Sequence, residues 1–177
     1  SSITTLPEVI DKKEFDKHSV LDRFNHQLQT SGLKTSNTIN PNFSWAGSEI
    51  SKIKNHFKLD KFILLFPFCS PHLHIKKWPY YNDLIKLILD KFGNEYKIVI
   101  APGPSEINDT KEINAEVLLD NGKALDISQL TSLIKDSSFI IANDTGPAHI
   151  AAHVAAKGLT LFGKHTTADK VLSLIHI

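Results

Sequence analysis

The stretch FIIANDTGPAHIAAHVAA, Phe139 to Ala156, decides how the chain is read. Phe139-Ile140-Ile141-Ala142 is an apolar run of the kind a buried strand carries, and the segment after Gly146 reads as a helix. Asn143, Asp144, Thr145, Gly146 and Pro147 form the joint between them. In an open α/β sheet, ligands bind where the carboxyl end of a strand turns into a helix. Thr145 suits the N-cap of that helix, and Pro147 suits its first turn, where a missing N–H costs nothing. Gly146 puts no side chain between a ligand and the backbone. Free amides and the positive end of the helix dipole then favour an anion such as phosphate, with His149 in the first turn. The same residues also read as an ordinary helix cap, and both readings stay open on this stretch alone.

Outward from this joint the pattern repeats. KFILLFPF, residues 61–68, is a continuous apolar strand of the sort a parallel sheet buries on both faces. WPYYNDLIKLILDKF is an amphipathic helix with Pro79 in its first turn and Gly93 just past its end. YKIVIA is a strand, PGPSE a turn, EINDTKEIN a weak helix, and LDISQLTSLIKDS a helix capped by Asp126 or Ser128. GLTLF is a last short strand, and a helix over about 47–57 precedes the first one. Strands alternating with helices on short loops predict a parallel, doubly wound α/β sheet with helices on both faces. Upstream, Glu14–Ser31 has helical spacing at Phe15, Val20, Leu21, Phe24 and Leu28, with Gly32 as its stop. KTSNTINPNFS, holding Pro41, reads as a linker over about 33–45. Two units follow: residues 1–45, the end of one domain and a linker, and 46–177, a second domain expected to be incomplete at its end.

Composition bounds the function. With 41% hydrophobic and 22% charged residues the chain is globular, and a net charge of +1 gives no electrostatic case for nucleic acid. One cysteine, Cys69, excludes an internal disulfide framework and suits a reducing compartment. No apolar run approaches the roughly 18 residues of a membrane helix. The chain has no methionine and opens on Ser1-Ser2, so it is expected to be a fragment; the closing LSLIHI is given no functional weight.

Two more strand ends carry matching chemistry. LLFPFCSPHLHIKKWP leads from a strand through Ser70, a hydroxyl donor, to Lys76 and Lys77 before Trp78-Pro79. A lysine here can hold phosphate as a point charge, or stand as a solvated surface charge, which is the reading preferred for Lys77. In VIAPGPSEIN, Glu106 can accept hydrogen bonds from ribose hydroxyls, or merely answer a helix dipole. An acid, a base and a capped helix start on three strand ends together favour a nucleoside diphosphate ligand.

These elements, in this order, resemble the C-terminal domain of the heptosyltransferase family, glycosyltransferase family 9. Asp144-Thr145-Gly146-Pro147-Ala148-His149-Ile150-Ala151-Ala152 matches the family's Asp-Ser/Thr-Gly-Pro-x-His-x-Ala-Ala turn; Lys76-Lys77-Trp78-Pro79 matches its Lys-x-Trp-Pro; Gly103-Pro104-Ser105-Glu106 matches its Gly-x-x-Glu loop. TLFG at 160–163 matches the strand after the motif helix, and HSVLDRFNHQLQTSGL looks like the helix that ends the family's N-terminal domain. The similarity covers about residues 60–165. It implies a Rossmann-like domain, the C-terminal half of a GT-B enzyme, truncated here. It further implies inverting, metal-independent transfer of heptose, or a related sugar, from ADP-heptose to a lipopolysaccharide core or similar surface glycan. Lys76, helped by Ser70, would contact the donor phosphates, and Glu106 the donor ribose. Asp144, Thr145 and Gly146 would line the diphosphate and sugar, with His149 beside them. No cofactor is implied beyond the nucleotide-sugar substrate. A lipid-linked acceptor, a cytoplasmic location and peripheral contact with the inner membrane follow from the same likeness.

The departures set the expectations for this chain. The family's general base, an aspartate, belongs to the N-terminal domain, most of which is absent, so the fragment is expected to bind nucleotide without transferring sugar. KHTTADK stands where the family reads Pro-Thr-Asp-Pro. His149 and His153, four apart, have metal-ligand spacing but no glutamate between them, and no metal site is expected. His72 and His74 read as surface residues, Cys69 as a strand-end residue, and Trp78, Tyr80 and Tyr81 as packing at a helix start. Two other functions remain open: a non-catalytic nucleotide-binding module, and a nucleotide-sugar epimerase of GT-B type.

Overall fold

The computed structural model describes residues 17–36 and 42–163. Five parallel strands form one sheet in the order β3-β2-β1-β4-β5: β1 Phe62–Phe66, β2 Lys97–Ile100, β3 Glu116–Val117, β4 Phe139–Asn143 and β5 Gly158–Leu161. The helices are α1 Val20–Thr30, α2 Ser51–Phe57, α3 Tyr81–Phe92, α4 Ile127–Asp136 and α5 Gly146–His153. The doubly wound α/β reading of the sequence is the architecture found.

Period-two alternation in β1 makes the two faces. Phe62, Leu64 and Phe66 join a core with Ile53 of α2, Leu133 and Ile134 of α4, and Ala148 and Ala151 of α5. Ile63 and Leu65 point the other way, onto Tyr81, Ile85 and Ile88 of α3. Helices thus cover both faces, which is why β1 is apolar at every position. At the edge, Gly158 lets β5 approach β4, because a Cβ there would lie 2.6 Å from the Ile140 carbonyl oxygen. The order reverses between β1 and β4: the chain builds outward to β3, then crosses back to β4. This switch point opens a crevice above the strands' carboxyl ends.

Several boundaries differ from the sequence reading. α1 starts at Val20, since the Ser19 side chain accepts the Asp22 amide as an N-cap at 3.1 Å; Glu14 to Asp16 lie outside the described residues. Its stop at Gly32, with φ of 77°, is as expected. α2 starts at Ser51 rather than 47, because Ser48 is tied to α4: its amide donates to the Ser128 carbonyl and its carbonyl accepts from Ser132 Oγ. Pro79 precedes α3 instead of entering its first turn. EINDTKEIN forms a 3-10 helix, Ile107–Glu112. Asp126, not Ser128, caps α4, in a full capping box with Gln129. The short edge strand β3 has no counterpart in the sequence reading, although its Val117 is the first of an apolar run. Pro41 and the TTADKVLSLIHI tail lie outside the described residues. Among those residues, no helix is long and apolar enough to cross a membrane.

Candidate functional site

A cleft of ≈ 580 Å³ opens at the carboxyl ends of β1, β2 and β4, at the switch point. Ser70, Lys76, Glu106, Asp144, Thr145 and Gly146 all line it, gathered from three separate loops. His149 is not among the lining residues; its Nε2 stands 3.9 Å from Asp144 Oδ1, so it meets the cleft through that carboxylate.

Lys76 and Asp144 hold the centre. The Asp144 side chain is 1% exposed, and the Lys76 ammonium donates to its Oδ2 at 2.7 Å and to its main-chain oxygen at 3.0 Å. Lys76 ends the 3-10 helix Pro71–Lys76 that leaves β1, whereas Asp144 directly follows β4. The ammonium therefore bridges the switch point. Of its three hydrogens, two serve Asp144 and the third remains for a ligand. Lys77 turns outward to Glu112, at 3.4 Å between exposed side chains, as its solvated reading foresaw.

At the start of α5, Thr145 occupies the N-cap position with extended backbone, but its hydroxyl makes no capping bond. It donates instead to the Asn143 carbonyl at 3.2 Å, which corrects the expected side-chain cap. Pro147 has no N–H, and the amides of Ala148 and His149 both donate to the Thr145 carbonyl. Gly146, the first residue of α5, lines the cleft, and a Cβ added there would meet nothing within 4 Å.

Glu106 closes its own loop: Oε2 accepts the Gly103 amide at 2.7 Å, leaving the other oxygen for a ligand hydroxyl. Ser70 is exposed at the head of the 3-10 helix, where its carbonyl accepts the Leu73 amide. Cys69 beside it is half-buried, its thiol donating to the Leu73 carbonyl at 3.3 Å, and burial pushes its pKa up. Trp78 stacks edge-on against both Tyr80 and Tyr81, the packing cluster expected.

The sequence reading missed the apolar wall. Leu125, Ile127 and Leu130, around the start of α4, line the same cleft as Lys76, and Ile127 is 73% exposed. Spaced with Leu130 and Ile134 on one helical stripe, Ile127 reads as core, so no local signal marked it. Asn143 was also passed over. Among the described residues, no three His, Cys, Asp or Glu side chains come together, and His153 packs edge-on against Phe43.

The family model of glycosyltransferase family 9 (heptosyltransferase) matches residues 5–170. The chain belongs to this family. A search of curated proteins finds no match. Among solved structures, this family 9 chain is similar to the Escherichia coli ADP-heptose lps heptosyltransferase II, at 23% identity and TM-score 0.58, over 71% of this chain and 40% of that one. It is similar to the glycosyl transferase family 9 protein from Veillonella parvula DSM 2008, at 21% identity and TM-score 0.62, over 84% and 45%. It is also similar to the Escherichia coli heptosyltransferase WaaC with ADP, at 16% identity and TM-score 0.57, over 85% and 49%. The chain thus spans less than half the length of these structures, and at such identities they establish the GT-B fold.

Proposed function

We propose that the full-length protein is an inverting, metal-independent glycosyltransferase, with this chain as its donor-binding half. It moves heptose, or a related sugar, from an ADP-activated donor to a lipopolysaccharide core or similar surface glycan. The observation that carries this reading is the Lys76 ammonium set 2.7 Å from the Asp144 carboxylate, which joins a cation and a helix start in one cleft. The free Lys76 hydrogen, the Gly146 amide and the α5 dipole converge where a diphosphate would sit. As the glycosidic bond breaks, negative charge grows on the leaving diphosphate, and these groups stabilise it without a metal ion. The second Glu106 oxygen accepts from the ribose, and the Ile127 wall covers the base. His149 and Asp144 border the sugar. The general base and the acceptor surface belong to the part of the protein outside this chain, so the chain alone binds donor and does not transfer it. A lipid-linked acceptor places the work at the cytoplasmic face of the inner membrane.

Titration calorimetry with ADP in EDTA tests this. The wild-type chain binds, and Lys76→Ala loses a charged contact of about 1.5–3 kcal/mol, a roughly 10- to 150-fold weaker Kd. No heat with the wild type, or equal affinity for both proteins, overturns the reading.

A further inference from the structure

We infer that Asn143 is a positioning residue: its carboxamide clasps both ends of the loop that carries Ser70 and Lys76, and so sets that loop against Asp144. Asn143 is 0% exposed. Its Nδ2 donates to the Pro67 carbonyl at 2.9 Å and to the Phe68 carbonyl at 3.5 Å, where β1 ends and the loop begins. Its Oδ1 accepts the Trp78 amide at 3.4 Å, where the loop ends. The Tyr81 hydroxyl, 3.2 Å from Oδ1 and 3.1 Å from the Phe66 carbonyl, adds the first residue of α3 to the same knot. Two carbonyls face the NH₂ and the Trp78 amide faces the oxygen, so the partners fix the amide's orientation, while the single Tyr81 hydroxyl hydrogen is shared between Oδ1 and the Phe66 carbonyl.

Phe68 and Trp78 bracket the segment that includes Cys69, Ser70 and Lys76. That segment makes few regular bonds: its 3-10 helix is kinked at Leu73, and Leu73 and Ile75 are exposed. Its path is therefore decided at its ends. Both ends are held by the residue that directly precedes Asp144, the partner of Lys76. Asn143 touches no ligand position itself. It fixes the distance between the β1 loop and the β4 loop, and a ligand bridging them binds without first having to order the loop.

The loop carries the chain's one cysteine, a built-in reporter. Three measurements on the purified chain test the clasp, against Ile53→Ala, a core truncation in α2, as a control for lost stability alone. In the first, Asn143→Ala raises the iodoacetamide reaction rate of Cys69 about tenfold or more under conditions where circular dichroism shows the chain folded, and Ile53→Ala does not. In the second, ADP affinity of folded Asn143→Ala falls about tenfold or more while that of folded Ile53→Ala is unchanged. The third needs no substitution: in the wild type the Trp78 amide, outside any helix or strand, resists hydrogen exchange as the β4 amides do. Only the ADP measurement rests on the proposed function. If the wild type binds no ADP yet Cys69 and Trp78 behave as stated, the ligand reading fails and the clasp stands. A Cys69 rate in Asn143→Ala matching that in Ile53→Ala, or Trp78 exchanging at an open-loop rate, overturns the clasp.

Discussion

Removing only the lysine charge of the Lys76–Asp144 pair should cost more than removing both charges. Asp144 is 1% exposed and Lys76 20%, so Lys76→Met keeps most of the apolar stem but takes the lysine charge away from a buried carboxylate that then has only more distant charge, such as His149 at 3.9 Å, to balance it. Breaking a fully buried pair costs 3–5 kcal/mol; the partial exposure of Lys76 lowers this to about 2–4 kcal/mol. Asp144→Asn leaves an amide oxygen and the main-chain carbonyl for the ammonium, which can also turn toward solvent, and costs about 1–2 kcal/mol. The double variant removes both charges and should lie only about 1–2 kcal/mol below wild type, a coupling of about 2–4 kcal/mol. Urea unfolding of the four proteins at one pH measures this, and moderate salt should leave the coupling nearly intact because the pair is shielded. ADP titration of the same proteins separates the two roles, since the double variant recovers stability without recovering affinity. Additive losses, within about 0.5 kcal/mol, would show that the ammonium is not seated on Asp144 and would refute the argument.

Glu106→Gln should weaken ADP binding several-fold while leaving affinity for inorganic pyrophosphate unchanged, as calorimetry with both ligands would show; equal loss for both would place Glu106 on the phosphates instead. Burial raises the Tyr81 pKa well above that of an ordinary tyrosine, with a hydrogen bond from the Asn143 backbone opposing it. Because the folded state keeps the proton that the unfolded chain releases, stability is untouched below about pH 10 and falls as pH rises beyond it. Urea midpoints at pH 8 and pH 11 should therefore fall further in the wild type than in Tyr81→Phe. Ultraviolet titration should show one of the three tyrosines ionising only on unfolding, and joint ionisation of all three in the intact fold would contradict this.

The fold and most of the candidate site were legible because local rules govern them. A strand buried on both faces must be apolar throughout, as Phe62–Phe66 is, and strand–loop–helix joints must carry Gly, Pro and capping residues, as Asp144 to Pro147 do. Such residues sit at strand ends, and strand ends of a parallel sheet share one rim, so Ser70, Lys76, Glu106 and Asp144 could be grouped before any distance was known. Lone side-chain preferences were less secure. Thr145 holds the N-cap position while its hydroxyl turns to the Asn143 carbonyl, and α2 is shortened because Ser48 bonds to α4.

The amino-acid sequence alone determined the alternation of strands and helices and the identity of the charged groups at the cleft, since both follow from periodicity and turn chemistry within a few residues. Only the tertiary structure decided that Lys76 is seated on Asp144, that Ile127 forms an exposed wall, and that Asn143 ties together three segments up to 76 residues apart. Those are contacts between distant parts of the chain, and no local pattern encodes which buried amide meets which carbonyl until the sheet has brought them together.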